Sequence, residues 1–117
     1  MRVIARGTLH LFVKNRVEPR LQEAVKGQLE AWYAEAAKAT WKNSGELKRQ
    51  YASASIVSSE RVVFNIKGND YRLVVAINYQ FQIALILSIG THKEYDKIDA
   101  EKVRYDKERY QGSSNPK

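Results

Sequence analysis

The stretch RVVFNIKGNDYRLVVAINYQFQIALILSIG, residues 61–90, decides the fold. It holds three β-rich runs, Arg61 to Lys67, Tyr71 to Tyr79 and Ile83 to Ile89, separated by short turn signals. Gly68-Asn69 reads as a two-residue hairpin loop, because both residue types tolerate positive φ. That loop sets Lys67 opposite Asp70, Ile66 opposite Tyr71, Asn65 opposite Arg72 and Phe64 opposite Leu73. Side chains alternate along a strand, so Val62, Phe64, Ile66, Tyr71, Leu73 and Val75 share one face. That face is apolar and requires a cover of helices. The opposite face carries Arg61, Asn65, Lys67 and Arg72. Cations and amides on rigid strands suit a phosphate-bearing ligand; the plain alternative is a solvated outer face.

The cover lies upstream. Val3-Ile4-Ala5 reads as an opening strand ended by Gly7, with Thr8 capping a short helix that carries Leu9, Phe12 and Val13 on one side. Glu18-Pro19 starts a second helix, since proline at the first helical position lacks an N–H that would be unpaired anyway. Leu21, Val25, Leu29, Trp32 and Ala36 follow at helical spacing and form a core-facing stripe. Asn43-Ser44-Gly45 breaks the pattern, and Glu46 to Tyr51 adds a further helical turn. Past the sheet, Gly90-Thr91 leads into a last short helix. The order is β-α-α-β-β-β plus a terminal helix, an α+β domain over residues 1–105 with a polar, flexible tail over 106–117.

The bulk composition excludes several classes. With no cysteine among 117 residues, disulfide frameworks, thiol catalysis and cysteine-bound zinc are ruled out, which suits a cytoplasmic protein. The longest apolar run, Ile83 to Ile89, has strand length rather than membrane-spanning length. Twenty Lys and Arg against thirteen Asp and Glu leave +7, which attracts polyanions such as nucleic acid, or an acidic protein partner. There is no glycine-rich phosphate loop, nucleophile elbow or paired-histidine metal motif, so no metal or cofactor is expected.

The chemistry concentrates after the last strand. Thr91-His92-Lys93-Glu94 fits a capping box, with Thr91 as N-cap and Glu94 reaching back from the third helical position. Capping accounts for Thr91 and Glu94 but not for His92, Lys93 or Tyr95. Tyr95 and Asp96 fall three and four residues after His92, on the same helical side. A histidine, a phenol, a carboxylate and a lysine then surround one potential phosphate pocket. Such a set supports RNA cleavage: a base takes the proton of a ribose 2′-hydroxyl, that oxygen attacks phosphorus, and an acid protonates the leaving 5′-oxygen. Imidazole serves either role near neutral pH. Tyr95 is a partner or a stacking surface for a base, and Arg72, Lys67 and Lys93 offset the charge on phosphate. His10 is read as a helix-surface residue.

Val63-Phe64-Asn65-Ile66-Lys67-Gly68-Asn69, then Tyr71-Arg72-Leu73-Val74, then Gly90-Thr91-His92-Lys93-Glu94-Tyr95-Asp96-Lys97-Ile98 resemble the HigB branch of the RelE-type toxins. Trp41 and Tyr51-Ala52-Ser53-Ala54 fit the same pattern, and the resemblance extends over roughly residues 1 to 103. It implies a RelE-like fold and a toxin that enters the ribosome and cuts the translated message without a metal. It also implies neutralisation by a HigA-type helix-turn-helix antitoxin and contact with operator DNA only through that complex. By the resemblance, His92, Tyr95, Arg72, Lys67 and Lys93 carry catalysis, Asn65, Arg61, Asn69 and Asp96 contact RNA, and Asp96 orients the histidine. One departure stands out: the family commonly carries a basic residue in the last strand, where this chain has Leu87. If Gln80-Phe81 is a two-residue loop, Leu87 shares a face with Arg72. The alternatives are then a catalytically weakened or inactive member that binds antitoxin or RNA in a regulatory role, and a nuclease acting on free RNA.

Overall fold

The computed structural model describes residues 1–111. They form β1 (Arg2–Ile4), α1 (Arg6–Arg16), α2 (Pro19–Lys38), α3 (Ser44–Gln50), β2 (Ser55–Ile56), β3 (Arg61–Ile66), β4 (Tyr71–Asn78), β5 (Ile83–Thr91) and α4 (His92–Tyr95). The sheet order is β1-β5-β4-β3-β2, antiparallel throughout except for β1 against β5. This is an α+β domain with a mainly antiparallel sheet.

The β3–β4 register is the one the hairpin dictates, with Phe64 paired to Leu73, Asn65 to Arg72 and Ile66 to Tyr71. Its loop is wider than a two-residue turn: residues 67–70 form it, and positive φ falls on Lys67 (53°) and Gly68 (65°) rather than on Gly68 and Asn69. The helices lie on the face made by Val62, Phe64, Ile66, Leu73, Val75 and Ile86, which are buried with Phe12, Val25, Leu29 and Trp32. Aromatic side chains fill the join edge-to-face, Trp32 on Phe64 at 5.3 Å and Phe12 on Tyr71 at 5.7 Å between ring centroids. Pro19 opens α2, and its stripe is buried from Val25 to Ala36, with Leu21 packed at the margin.

The first turn departs from the sequence reading. Ala5, at φ 72°, bends the chain from β1 directly into α1, so Gly7 and Thr8 are already helical. Thr8 is buried and does not cap; its N–H donates to the carbonyl of Ala5 at 3.0 Å. Asn43 caps α3 instead, its Oδ1 accepting from the Glu46 amide at 2.9 Å. The edge strand β2 is only two residues long, too short to show a period in the sequence.

The second face of the sheet is also a core. Val63, Val74, Leu87 and Ala100 are buried there, and Val57, Ala76, Leu85, Tyr95, Ile98 and Val103 pack around them. Its cover is α4 and the segment after it. Arg61 fastens that segment by donating from one guanidinium nitrogen to the carbonyls of Ala100 (3.1 Å) and Val103. Leu87 does lie on the Arg72 side of the sheet, at a β-bulge where the β4–β5 register slips between Val74 and Val75.

Within the segment expected as a tail from residue 106, Arg109 and Tyr110 pack against the body of the domain. Tyr110 is buried against Phe12, with ring centroids 5.4 Å apart. β1 pairs only with Ile83, Ala84 and Leu85, so the rest of that β5 edge is open. The Tyr110 hydroxyl closes part of it: it accepts from the Ile89 N–H at 2.8 Å and donates to the Ile89 carbonyl. The part of the expected tail over 112–117 lies outside the described residues.

Candidate functional site

The site is built where β5 turns into α4. Thr91 Oγ1 accepts from the Glu94 amide at 3.2 Å, and Glu94 Oε1 accepts from the Thr91 amide at 2.8 Å, so the capping box is complete. Gly90 makes room for it. A Cβ at that position would stand 3.1 Å from Glu94 Cβ and 3.2 Å from its Oε1, so any larger residue pushes the capping side chain away. The box fixes the first turn of α4, and with it the direction of His92.

His92 Nδ1 lies 3.4 Å from Asp96 Oδ2, one helical turn on. Both side chains are more than half exposed, at 59% and 62%, so the contact orients the ring more than it binds it. Lys93 is exposed beside them. Tyr95 turns away from this pair, packing into the second core and forming one wall of an adjacent cleft.

Register brings Arg72 to the same place, because it pairs with Gly90 across β4 and β5. Its guanidinium donates to the Asn69 carbonyl at 2.9 Å. Arg72, Gly90, Glu94 and Tyr95 line a cleft of about 220 Å³. Two cations absent from the sequence reading also line it: Arg16, from the end of α1, and Arg109, from the docked C-terminal segment. Neither position carries a motif, and both reach the cleft through tertiary packing that no local pattern encodes.

The other expected residues are dispersed. Lys67 stands at the same end of the sheet but pairs with Asp70 at 3.2 Å, at the hairpin tip with Asn69. Asn65 donates to the Ser53 carbonyl at 3.1 Å, toward the β2 edge. Arg61 is at the opposite end of β3 and holds the C-terminal cover, so its charge serves packing there. A larger groove of about 500 Å³ runs between α1 and α2 and includes His10. In it Lys26 pairs with Glu30 at 3.9 Å and Arg6 stacks on Tyr33. Among the described residues no group of three or more His, Cys, Asp or Glu is placed to hold a metal, and no helix is long and apolar enough to cross a membrane.

A helix-backed mixed sheet, whose fourth and fifth strands deliver an arginine and a capped Gly-Thr-His turn to one end, has the RelE-like architecture of toxin–antitoxin toxins. A family model for HigB toxin, the RelE-like toxic component of a toxin–antitoxin system, matches residues 25–98. The chain belongs to that family. Membership implies an antitoxin partner. No curated protein matches the chain.

Proposed function

We propose that this chain is a ribosome-dependent messenger-RNA endonuclease, the toxin of a two-gene module, acting in the cytoplasm and held inactive by a HigA-type helix-turn-helix antitoxin. Operator DNA is reached only through the complex with that antitoxin. The observation that carries the reading is the convergence of His92, oriented by Asp96, with Arg72 beside Gly90 at one end of the sheet. His92 takes the 2′-hydroxyl proton, the freed oxygen attacks the adjacent phosphorus, and the bond from phosphorus to the 5′-oxygen breaks. The leaving oxygen takes a proton from Tyr95 or Lys93, leaving a 2′,3′-cyclic phosphate and a 5′-hydroxyl. Arg72, with Lys67 and Lys93, offsets the charge that builds on the phosphate; losing one such contact costs about 10²–10³ in rate. Asn65 and Asn69 lie along the approach to that end of the sheet and contact the RNA, while Arg61 contributes at most through the segment it fastens.

A second reading has its own observation. Leu87 occupies the strand position where the family commonly has a cation, and it is buried at 3% exposure. A chain without that cation can be a weakened or inactive member that binds antitoxin or RNA in regulation. Induced expression in a bacterial host separates the two readings. Growth arrest with translation-dependent cuts inside reading frames, both lost in His92→Ala, supports the nuclease; a well-expressed, folded protein with neither supports the regulator.

A further inference from the structure

The cleft beside α4 contains more positive charge than the proposed chemistry uses. Arg16, Arg72 and Arg109 all line it, and Glu94 is the one carboxylate among the described residues that does. Glu94 is already engaged, its Oε1 held by the Thr91 amide at 2.8 Å. Among the described residues, Arg72 and Arg109 are in no ion pair; their partners are backbone carbonyls, Asn69 at 2.9 Å for Arg72 and Arg104 at 2.7 Å for Arg109. Among the described residues, the buried Nε of Arg109 has no acceptor. A guanidinium that is partly shielded from water and lacks a counter-charge is costly to hold, and an anion entering the cleft offsets that cost.

The cation is also held in place rather than carried on a loose end. The hydroxyl of the next residue, Tyr110, is fixed to the backbone of Ile89, one residue before Gly90. Asn15 Nδ2 donates to the Tyr110 carbonyl at 2.6 Å, and Arg16 donates to the Arg109 carbonyl at 3.2 Å. Arginines positioned by packed elements and anchored backbone form the kind of rigid fork that recognises phosphate oxygens.

We propose that this cleft is a phosphodiester-binding subsite, formed by Arg16 and Arg109 with Arg72, that holds the RNA phosphate next to the one being cut. The proposal rests on the reading of the chain as an RNA-cutting toxin and assigns a role to two residues outside the matched segment 25–98. Of the residues assigned to the chemistry, Arg72 and Tyr95 line the cleft and His92 does not, so the subsite adjoins the reacting phosphate, with Arg72 and Tyr95 on the boundary between the two.

The test is binding of the full chain to a single-stranded oligoribonucleotide made uncleavable by 2′-O-methyl groups, followed by fluorescence anisotropy across a salt series. Arg109→Gln is expected to weaken binding roughly tenfold and to lower the slope of log K against log salt by about 0.7, the loss of one phosphate contact on a single strand. Arg109→Lys recovers part of the affinity. In parallel, the Nε–H resonance of Arg109 in the wild-type protein shifts as the oligonucleotide is added, which decides the matter even if Arg109→Gln does not fold. Equal affinity and slope for a folded Arg109→Gln, an Nε–H resonance that stays still, or no binding by the wild type overturns the subsite. A wild type that binds through Arg109 but never cuts translated message leaves the subsite standing and removes the nuclease reading; a wild type that cuts while binding is indifferent to Arg109 does the reverse.

Discussion

The two faces of the sheet are buried by different means. One is covered by α1 and α2, whose apolar stripes meet Phe64, Leu73, Val75 and Ile86 in a large aromatic-rich core. The other is covered by a four-residue helix and a segment with little regular structure, held by Arg61 against a small cluster of Val63, Val74 and Leu87. The first cover supports the fold; the second also frames the candidate site, since Tyr95 belongs to both the small core and the cleft wall. The candidate site sits on the thinner side, where packing is lighter and the backbone is exposed enough to meet a ligand.

The sharpest challenge to this contrast is charge in the small core. Leu87→Arg buries an uncompensated guanidinium and is expected to cost about 3–5 kcal/mol, comparable to Phe64→Ala in the large core at about 3–5 kcal/mol. Chemical denaturation of both variants checks this. A Leu87→Arg protein as stable as wild type, and more active, would mean that the second face opens readily and that the family's strand cation belongs in the site.

Next in size is the hydroxyl that joins the C-terminal segment to β5. Tyr110→Phe leaves the Ile89 N–H and carbonyl without their partner, at a cost of about 1–3 kcal/mol. Hydrogen exchange should quicken at Ile89 and Gly90 while the β3–β4 amides stay protected. Uniform loosening across the sheet would show that the two covers are one cooperative unit.

The smallest expected effect concerns alkaline pH. Tyr51, Tyr71, Tyr79 and Tyr110 all pack in or against the helix-covered core, and burial raises the pKa of each above the ordinary phenol value; for Tyr51 the Glu35 carboxylate that accepts its hydroxyl adds to the rise. A raised folded-state pKa means the contribution is complete below the unfolded value of about 10 and is lost as pH rises through the folded value. Thermal melting should therefore move down from about pH 10 upward, and Tyr51→Phe should flatten that decline. A decline that Tyr51→Phe leaves unchanged would place the alkaline weakness outside the large core.

The contrast between the covers also marks what could be read from the chain. Strand register followed from Gly68 and the alternation of Phe64 and Leu73, and the helical cover followed from the spacing of Val25, Leu29, Trp32 and Ala36. The capping box was legible because its partners are three residues apart. The second core was signalled by near-continuous apolar runs, Val62-Val63-Phe64 and Leu73-Val74-Val75, which mark a sheet buried on both sides. Arg61, expected at RNA, donates to the backbone carbonyls of Ala100 and Val103, a role over long sequence separation that no local pattern shows. Arg16, Arg109 and Tyr110 were not legible, because their roles depend on contacts over long sequence separations with no local period.

The measurement that tests the central claim most directly is toeprinting and end analysis of a defined message on purified translating ribosomes, with wild-type protein and His92→Ala. The expected result is cuts within the reading frame that require ribosomes, carry 2′,3′-cyclic phosphate and 5′-hydroxyl ends, and fall by at least about 10² in rate when His92 is removed. No cuts by folded wild-type protein, or cuts that persist undiminished in His92→Ala, would contradict it.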